Sequence, residues 1–226
     1  MTAIAERSTH TPPSLRLRPF ATLALVAVVV GQVMGFLFTW LAPGGDPSEG
    51  NSYDKVADHR GAFWTLYAYG GVSMAVSTVG LAIAVCVLVR ERGAVLARIG
   101  SVFAVLAGAL LTAGLAAIAA VYSYATDTAA LNETVGRGFV DYVNDHDGRL
   151  ISLMAPGGLA FIVATLLITA ALLRSRVLAR WIPALFLVGT VLGIVFPSGT
   201  TGAIAALPSA VAVVLIAVDA RRHTAA

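Results

Sequence analysis

Hydrophobic residues fall in long blocks with almost no polar interruption. Residues 20–45, 61–89, 99–126, 150–173 and 181–218 contain no Asp, Glu, Lys or Arg. Each block exceeds the ~18–20 residues that carry an α-helix across a ~30 Å hydrocarbon layer. The last, as one helix, would be about 57 Å long, so it must fold back on itself. Phe196-Pro197-Ser198-Gly199-Thr200-Thr201-Gly202 supplies the turn. The pattern predicts an all-α polytopic membrane bundle of six transmembrane helices in three hairpins. The last two spans are expected to be short, with a re-entrant hairpin as the alternative for that pair.

The polar segments between blocks alternate in charge. Arg7, Arg16, Arg18, Arg90, Arg92, Arg98, Arg174, Arg176, Arg180, Arg221 and Arg222 fall on one side of the predicted bundle, and only Lys55, Arg60, Arg137 and Arg149 on the other. This asymmetry places both termini in the cytoplasm and the protein in the cytoplasmic (inner) membrane, because basic loops stay inside. The net charge of +3 is thus the sum of a basic inner rim and an acidic outer one, which argues against a nucleic-acid partner. Composition agrees: 58% of residues are hydrophobic and 12% charged, about half the charged share of a soluble domain. The division expected is a cytoplasmic tail over 1–19, a transmembrane domain over 20–218 and a second tail over 219–226. Trp40-Leu41-Ala42-Pro43 offers no small-x-small cleavage site, so the first block reads as a retained span. Cys86, the lone cysteine, is expected to lie buried in mid-span as packing.

A pattern D-x-V-x-D-H-x-G occurs twice, 87 positions apart: Asp54, Val56, Asp58, His59, Gly61 and then Asp141, Val143, Asp145, His146, Gly148. Val95-Leu96-Ala97-Arg98 returns as Val177-Leu178-Ala179-Arg180 after a five-residue shortening. These matches predict an internal repeat with copies at about 53–122 and 140–196. Each copy holds an even number of spans, so the two face the same way, as a parallel repeat.

The repeated motif sits in the acidic outer segments. Phe139, Tyr142, Val143 and His146 recur at helical spacing, with Asp141, Asn144 and Asp145 turned away, which predicts a short amphipathic helix on the membrane surface. Asp54 and Asp58, like Asp141 and Asp145, are four apart and share a helix face. Brought together by the repeat, Asp54, Asp58, His59, Asp141, Asp145 and His146 form a donor set suited to a divalent metal. Asp58 and Asp145 are equally candidates for acid–base catalysis, since paired carboxylates push their pKa values apart. The plainer reading is structural: Asp58 and Asp145 cap the helices that follow. A partner-binding role is the third.

No Asp, Glu, Lys, Arg or His lies in the middle of a predicted span, which argues against an ion- or proton-coupled transporter. P-loop, G-x-S-x-G, H-E-x-x-H and C-x-x-C-H motifs are absent. Gln32 is the one amide deep in a span and is expected to bond a neighbouring helix. Gly31-x-x-x-Gly35, Ala104-x-x-x-Gly108 and Gly189-x-x-x-Gly193 predict close helix contacts, within one subunit or at a homo- or hetero-oligomer seam. Pro156 is expected to start the fourth span, and Pro183, Pro197 and Pro208 to interrupt the last two.

The Ala/Val/Leu/Gly/Arg-heavy composition, short arginine turns and acidic outer loops resemble the uncharacterised multi-pass membrane proteins of GC-rich bacteria. That resemblance covers the chain by layout and implies an integral cytoplasmic-membrane protein. A fainter similarity is to small membrane-embedded terpene cyclases, whose acidic residues protonate an epoxide or olefin; Asp58 and Asp145 are the positions it points to. The expected function is a non-enzymatic subunit that binds a lipid or small molecule, or serves as an accessory or sensor. An enzyme on a lipidic or isoprenoid substrate is the alternative, and a transporter of an uncharged solute the third.

Overall fold

A hydrocarbon layer has no water to satisfy backbone N–H and C=O groups, so an apolar chain must satisfy them within helices. The computed structural model describes residues 13–41, 51–196 and 199–225. Among them the chain forms α1 (Pro13–Leu41), α2 (Tyr53–Asp58), α3 (Arg60–Leu88), α4 (Ala94–Ala125), α5 (Glu133–Asp145), α6 (Gly148–Ser175), α7 (Trp181–Val195) and α8 (Gly199–Ala225), and no strand.

Five of these, α1, α3, α4, α6 and α8, are long and apolar enough to cross a membrane. The expected shortness of the last pair applies to only one member. Helix α7 has 15 residues, about 22 Å, whereas α8 has 27. The apolar part of α8, residues 199–218, is itself longer than α7, and the helix continues through Asp219, Arg221 and Arg222. At the other end, α1 begins at Pro13, inside the stretch expected to be a tail. Pro183 lies in the first turn of α7, where a missing N–H costs nothing. Pro156 and Pro208 sit within α6 and α8 and interrupt neither. Pro197 lies outside the described residues.

Helix α3 is the axis of the bundle. It packs against α1, α4 and α8, while α4 packs on α6, α1 on α8, α8 on α7, and α7 back on α6. Its most apolar window is 61% buried, against 22 to 39% for the other four long helices. Small residues permit this crowding where lipid offers no hydrophobic drive for association. A Cβ on Gly31 of α1 would lie 2.8 Å from the Ser73 carbonyl oxygen of α3, and one on Gly80 of α3 would lie 2.9 Å from the Ala24 carbonyl oxygen of α1. Gly108 meets Ala75 and Thr78 of α3, and Gly189 meets Pro208 and Ser209 of α8, while Gly193 faces open space. The small-residue pairs therefore supply contacts inside one chain. Gln32 Nε2 donates to Ser77 Oγ at 2.5 Å, joining α1 to α3 as its position in the span suggested.

The repeated segments behave differently at the two ends of the bundle. His59 (φ −125°, ψ 25°) ends α2 and His146 (φ −123°, ψ 31°) ends α5, so the two motif copies share one backbone geometry there. The repeated Val-Leu-Ala-Arg does not. Residues 95–98 are in the first turns of α4, whereas 177–180 form the connection before α7. The same four residues take the conformation that each neighbouring helix imposes.

Candidate functional site

The acidic end carries a collar made by α2, α5 and the adjoining ends of α3 and α4. Both short helices start on a capping side chain in extended backbone: Ser52 Oγ accepts from Lys55 N at 3.4 Å, and Asn132 Oδ1 from Val135 N at 2.9 Å. Tyr53 and Val56 of the first copy pack in one apolar cluster with Val140 and Val143 of the second, against Phe63, Tyr67 and Tyr122. The copies thus meet through their apolar positions.

The face of α5 that packs on the rest of the protein is set by small and polar residues. Gly136 and Val140 are buried and Val143 and Asn144 half-buried, while Phe139, Tyr142 and His146 are exposed. Asn144 turns inward because it has partners there: Tyr122 Oη donates to Asn144 Oδ1 at 2.7 Å, and Asn144 Nδ2 donates to the Asn51 carbonyl oxygen at 3.1 Å. A half-buried amide with such partners can take the inner face without leaving a polar group unsatisfied.

Charge at the collar is largely spent within it. Arg137 makes a bidentate pair with Asp54 at 2.8 and 2.5 Å, bonds Glu133 one turn back, and lies 4.7 Å from the centre of the Tyr53 ring. The hydrogen bonds from this guanidinium hold the Asp54 carboxyl below the usual carboxylate range. Arg60 pairs with Asp127 at 2.5 Å and, helped by the Ala129 N–H, lowers that carboxyl too. Each histidine ring closes its own short helix: His59 Nδ1 reaches the Lys55 carbonyl oxygen at 3.3 Å and His146 Nδ1 the Tyr142 carbonyl oxygen at 2.8 Å. A carbonyl oxygen only accepts, so Nδ1 donates, and Nε2 has no partner among the described residues. His146 also stacks on Tyr142 at 4.2 Å.

The six motif residues are therefore placed as follows. Asp54 is paired; His59 and His146 cap; Asp58, Asp141 and Asp145 are exposed and make no hydrogen bond or ion pair among the described residues. Asp58 and Asp145 were expected to cap the helices that follow, but α3 begins after His59 and α6 after Asp147, neither with a side-chain cap. Among the described residues, no three His, Cys, Asp or Glu side chains form a group that could hold a metal.

A second feature lies toward the opposite end, between α1, α3 and α4. It is a groove of about 880 Å³ lined by Phe20, Cys86, Val102, Val105 and Leu106, among other apolar residues, with Arg98 at one end. Its inner polar groups satisfy one another: Cys86 Sγ donates to Ser101 Oγ at 3.3 Å, and Ser101 Oγ donates to the Ala82 carbonyl oxygen at 3.1 Å. Arg98 has no such partner among the described residues. Cys86, expected to be buried, is exposed on this groove.

Residues 22–219 match the model of the family described as domain of unknown function DUF4386. The chain belongs to the DUF4386 family. No curated protein and no solved structure matches it. The DUF4386 span contains both motif copies, Arg98 and most of the groove; Phe20 of α1 lies just before it. Sequence reasoning missed the groove because hydropathy scores lipid-facing and groove-lining residues alike. The available signal was Arg98 one turn before Val102, Val105 and Leu106, on one face of α4.

Proposed function

We propose that this DUF4386 protein is a non-enzymatic lipid-binding protein of the cytoplasmic membrane that holds one acidic lipid in the groove between α1, α3 and α4. The single observation that carries this reading is an apolar groove of about 880 Å³ bordered by a cation, Arg98, that has no hydrogen-bond or ion-pair partner among the described residues. That volume lies within the ~300–1,000 Å³ of ligand-sized pockets. The apolar walls suit a hydrocarbon chain, and the guanidinium suits a phosphate or carboxylate head. The arginine-rich end faces the cytoplasm in this reading, with both termini inside, as the excess of basic residues at that end supports. The collar's role is to brace α2 and α5 over the opposite end.

Cys86 is a built-in reporter. As the chain's lone cysteine, set in the groove wall, its reaction rate with a membrane-permeant maleimide measures groove occupancy. Phosphatidylglycerol added to protein in phosphatidylcholine nanodiscs should slow the labelling, and Arg98→Gln should abolish the slowing. Labelling indifferent to headgroup in the wild type would refute the proposal.

The competing reading is a membrane enzyme on a lipidic or isoprenoid substrate, with Asp58 and Asp145 as acids and His59 and His146 as bases or metal ligands. What favours it is the Nε2 of each capping histidine, which has no partner among the described residues. Metal analysis tests it: near-stoichiometric divalent metal, lost in a His59→Ala/His146→Ala double variant, would establish a site at the collar.

A further inference from the structure

The turns at the arginine-rich end border a separate, solvent-open cavity of about 590 Å³, lined by Arg92, Leu173, Arg174, Arg176 and Arg180. Arg92 comes from the α3–α4 turn and the others from the end of α6 and the connection to α7. The two turns are locked together. Gly93, at φ +89°, lies so close to α6 that a Cβ on it would stand 2.8 Å from the Ala171 carbonyl oxygen. That contact sets Arg92 beside the arginines that follow α6.

Three observations separate this cluster from a basic rim that merely orients the protein. The topological rule needs arginines anywhere near the helix ends and does not call for four of them around one cavity. Capping of helix carbonyls is done elsewhere, by Arg90, whose Nε donates to the Val87 carbonyl oxygen at 3.0 Å. None of the four cavity arginines forms an ion pair among the described residues, although Glu91 adjoins Arg92 in sequence. The third observation is in the backbone. Arg176 occupies the left-handed region (φ 55°, ψ 21°), the one non-glycine to do so among the described residues. A helix end of that geometry normally takes glycine. Non-glycine residues in this region are uncommon and cluster at ligand-binding and switch sites.

We infer that this cavity binds a phosphorylated anion bearing two or more negative charges. Guanidinium forks match phosphate oxygens in pairs, and four arginines lining one pocket favour a multiply charged ligand over chloride or a lone carboxylate. The phosphate can belong to an anionic lipid headgroup reaching in from the adjacent leaflet, or to a soluble diphosphate.

The test uses the full chain in nanodiscs, with inorganic pyrophosphate titrated calorimetrically in phosphatidylcholine discs and cardiolipin retention measured separately by native mass spectrometry. Three proteins are compared: wild type, Arg176→Gly and an Arg221→Gln/Arg222→Gln control that removes charge from the same end away from the cavity. Arg176→Gly relaxes the left-handed position, so its Tm should rise or hold while saturable binding weakens by about tenfold, the effect of one lost charge-assisted contact. The control should change affinity less than about twofold, since more distant surface charges are screened at physiological salt. Loss of pyrophosphate binding in Arg176→Gly identifies a soluble ligand; loss of cardiolipin retention identifies a headgroup. Equal weakening in Arg176→Gly and the control, or no saturable binding of either probe to wild type, would overturn the inference.

Discussion

At the acidic end Arg137 is held by Asp54 and Glu133, Arg60 by Asp127, and both motif histidines by carbonyl oxygens of their own helices. At the arginine-rich end Arg92, Arg98, Arg174, Arg176 and Arg180 line a groove or a cavity and have no ion pair among the described residues. These arginines and histidines at the first end hold the protein's own elements in place, whereas those five arginines at the second have no such partner among the described residues. The repeated motif draws attention to the collar, yet its chemistry there is largely self-directed. This contrast is why we place binding at the other end.

The collar should fail most sharply when its apolar seam is broken. Val140 is 1% exposed at the centre of that seam. Val140→Asp should cost about 3 kcal/mol or more, the penalty for burying an unpaired charge. Hydrogen exchange should then rise across α5 and leave α3 protected; loss of protection in both would mean that the collar is not a separate unit. The opposite end should respond in function instead. Arg98→Gln should weaken retention of an acidic lipid by roughly tenfold, about 1.4 kcal/mol, with no fall in Tm.

Acid provides a smaller, graded test. Asp54 and Asp127 have lowered carboxyl pKa values in the fold, so the unfolded chain binds their protons first. Their contribution is complete above about pH 4, the unfolded carboxyl value, and is lost as pH falls through the lower folded values. Collar protection should therefore decline below about pH 4, and Arg137→Gln should remove most of the dependence due to Asp54. High salt should narrow the gap between that variant and wild type, because the pairs are exposed.

The histidines give the smallest effect and a clean discrimination. If each only caps its own helix, His59→Ala and His146→Ala should each cost about 0.5 kcal/mol, and the double variant should cost the sum. Sites that do not touch are additive, whereas a shared metal would couple them.

Much of the fold was legible in the chain because charge-free blocks and arginine turns report helix boundaries directly. Residues 61–89 fall almost wholly within α3, and 150–173 lie inside α6. The end of α8 was not legible, since Ala220, Arg221 and Arg222 are good helix formers that prolong a helix beyond its apolar run. The face that α5 turns to the rest of the protein was not legible, because Gly136 and Asn144 carry no hydrophobic signal beside Phe139 and Tyr142. In the fold, a close approach and a hydrogen bond favour the smaller pair: Gly136 faces the Ala125 carbonyl and the Tyr53 ring, and Asn144 receives the Tyr122 hydroxyl. The groove escaped notice for a related reason, as exposed Val102 and Leu106 carry no mark that separates a groove wall from a surface facing the membrane.

The central claim, that ligand binding belongs to the arginine-rich end and self-bracing to the collar, is tested most directly by native mass spectrometry of lipid retained through detergent exchange. Four proteins suffice: wild type, Arg98→Gln, Val102→Trp to fill the groove, and the collar variant Asp58→Asn/His59→Ala/Asp145→Asn/His146→Ala. The account predicts one tightly held acidic lipid on wild type and on the collar variant, and its loss from Arg98→Gln and Val102→Trp. Retention by Val102→Trp together with loss from the collar variant would contradict it.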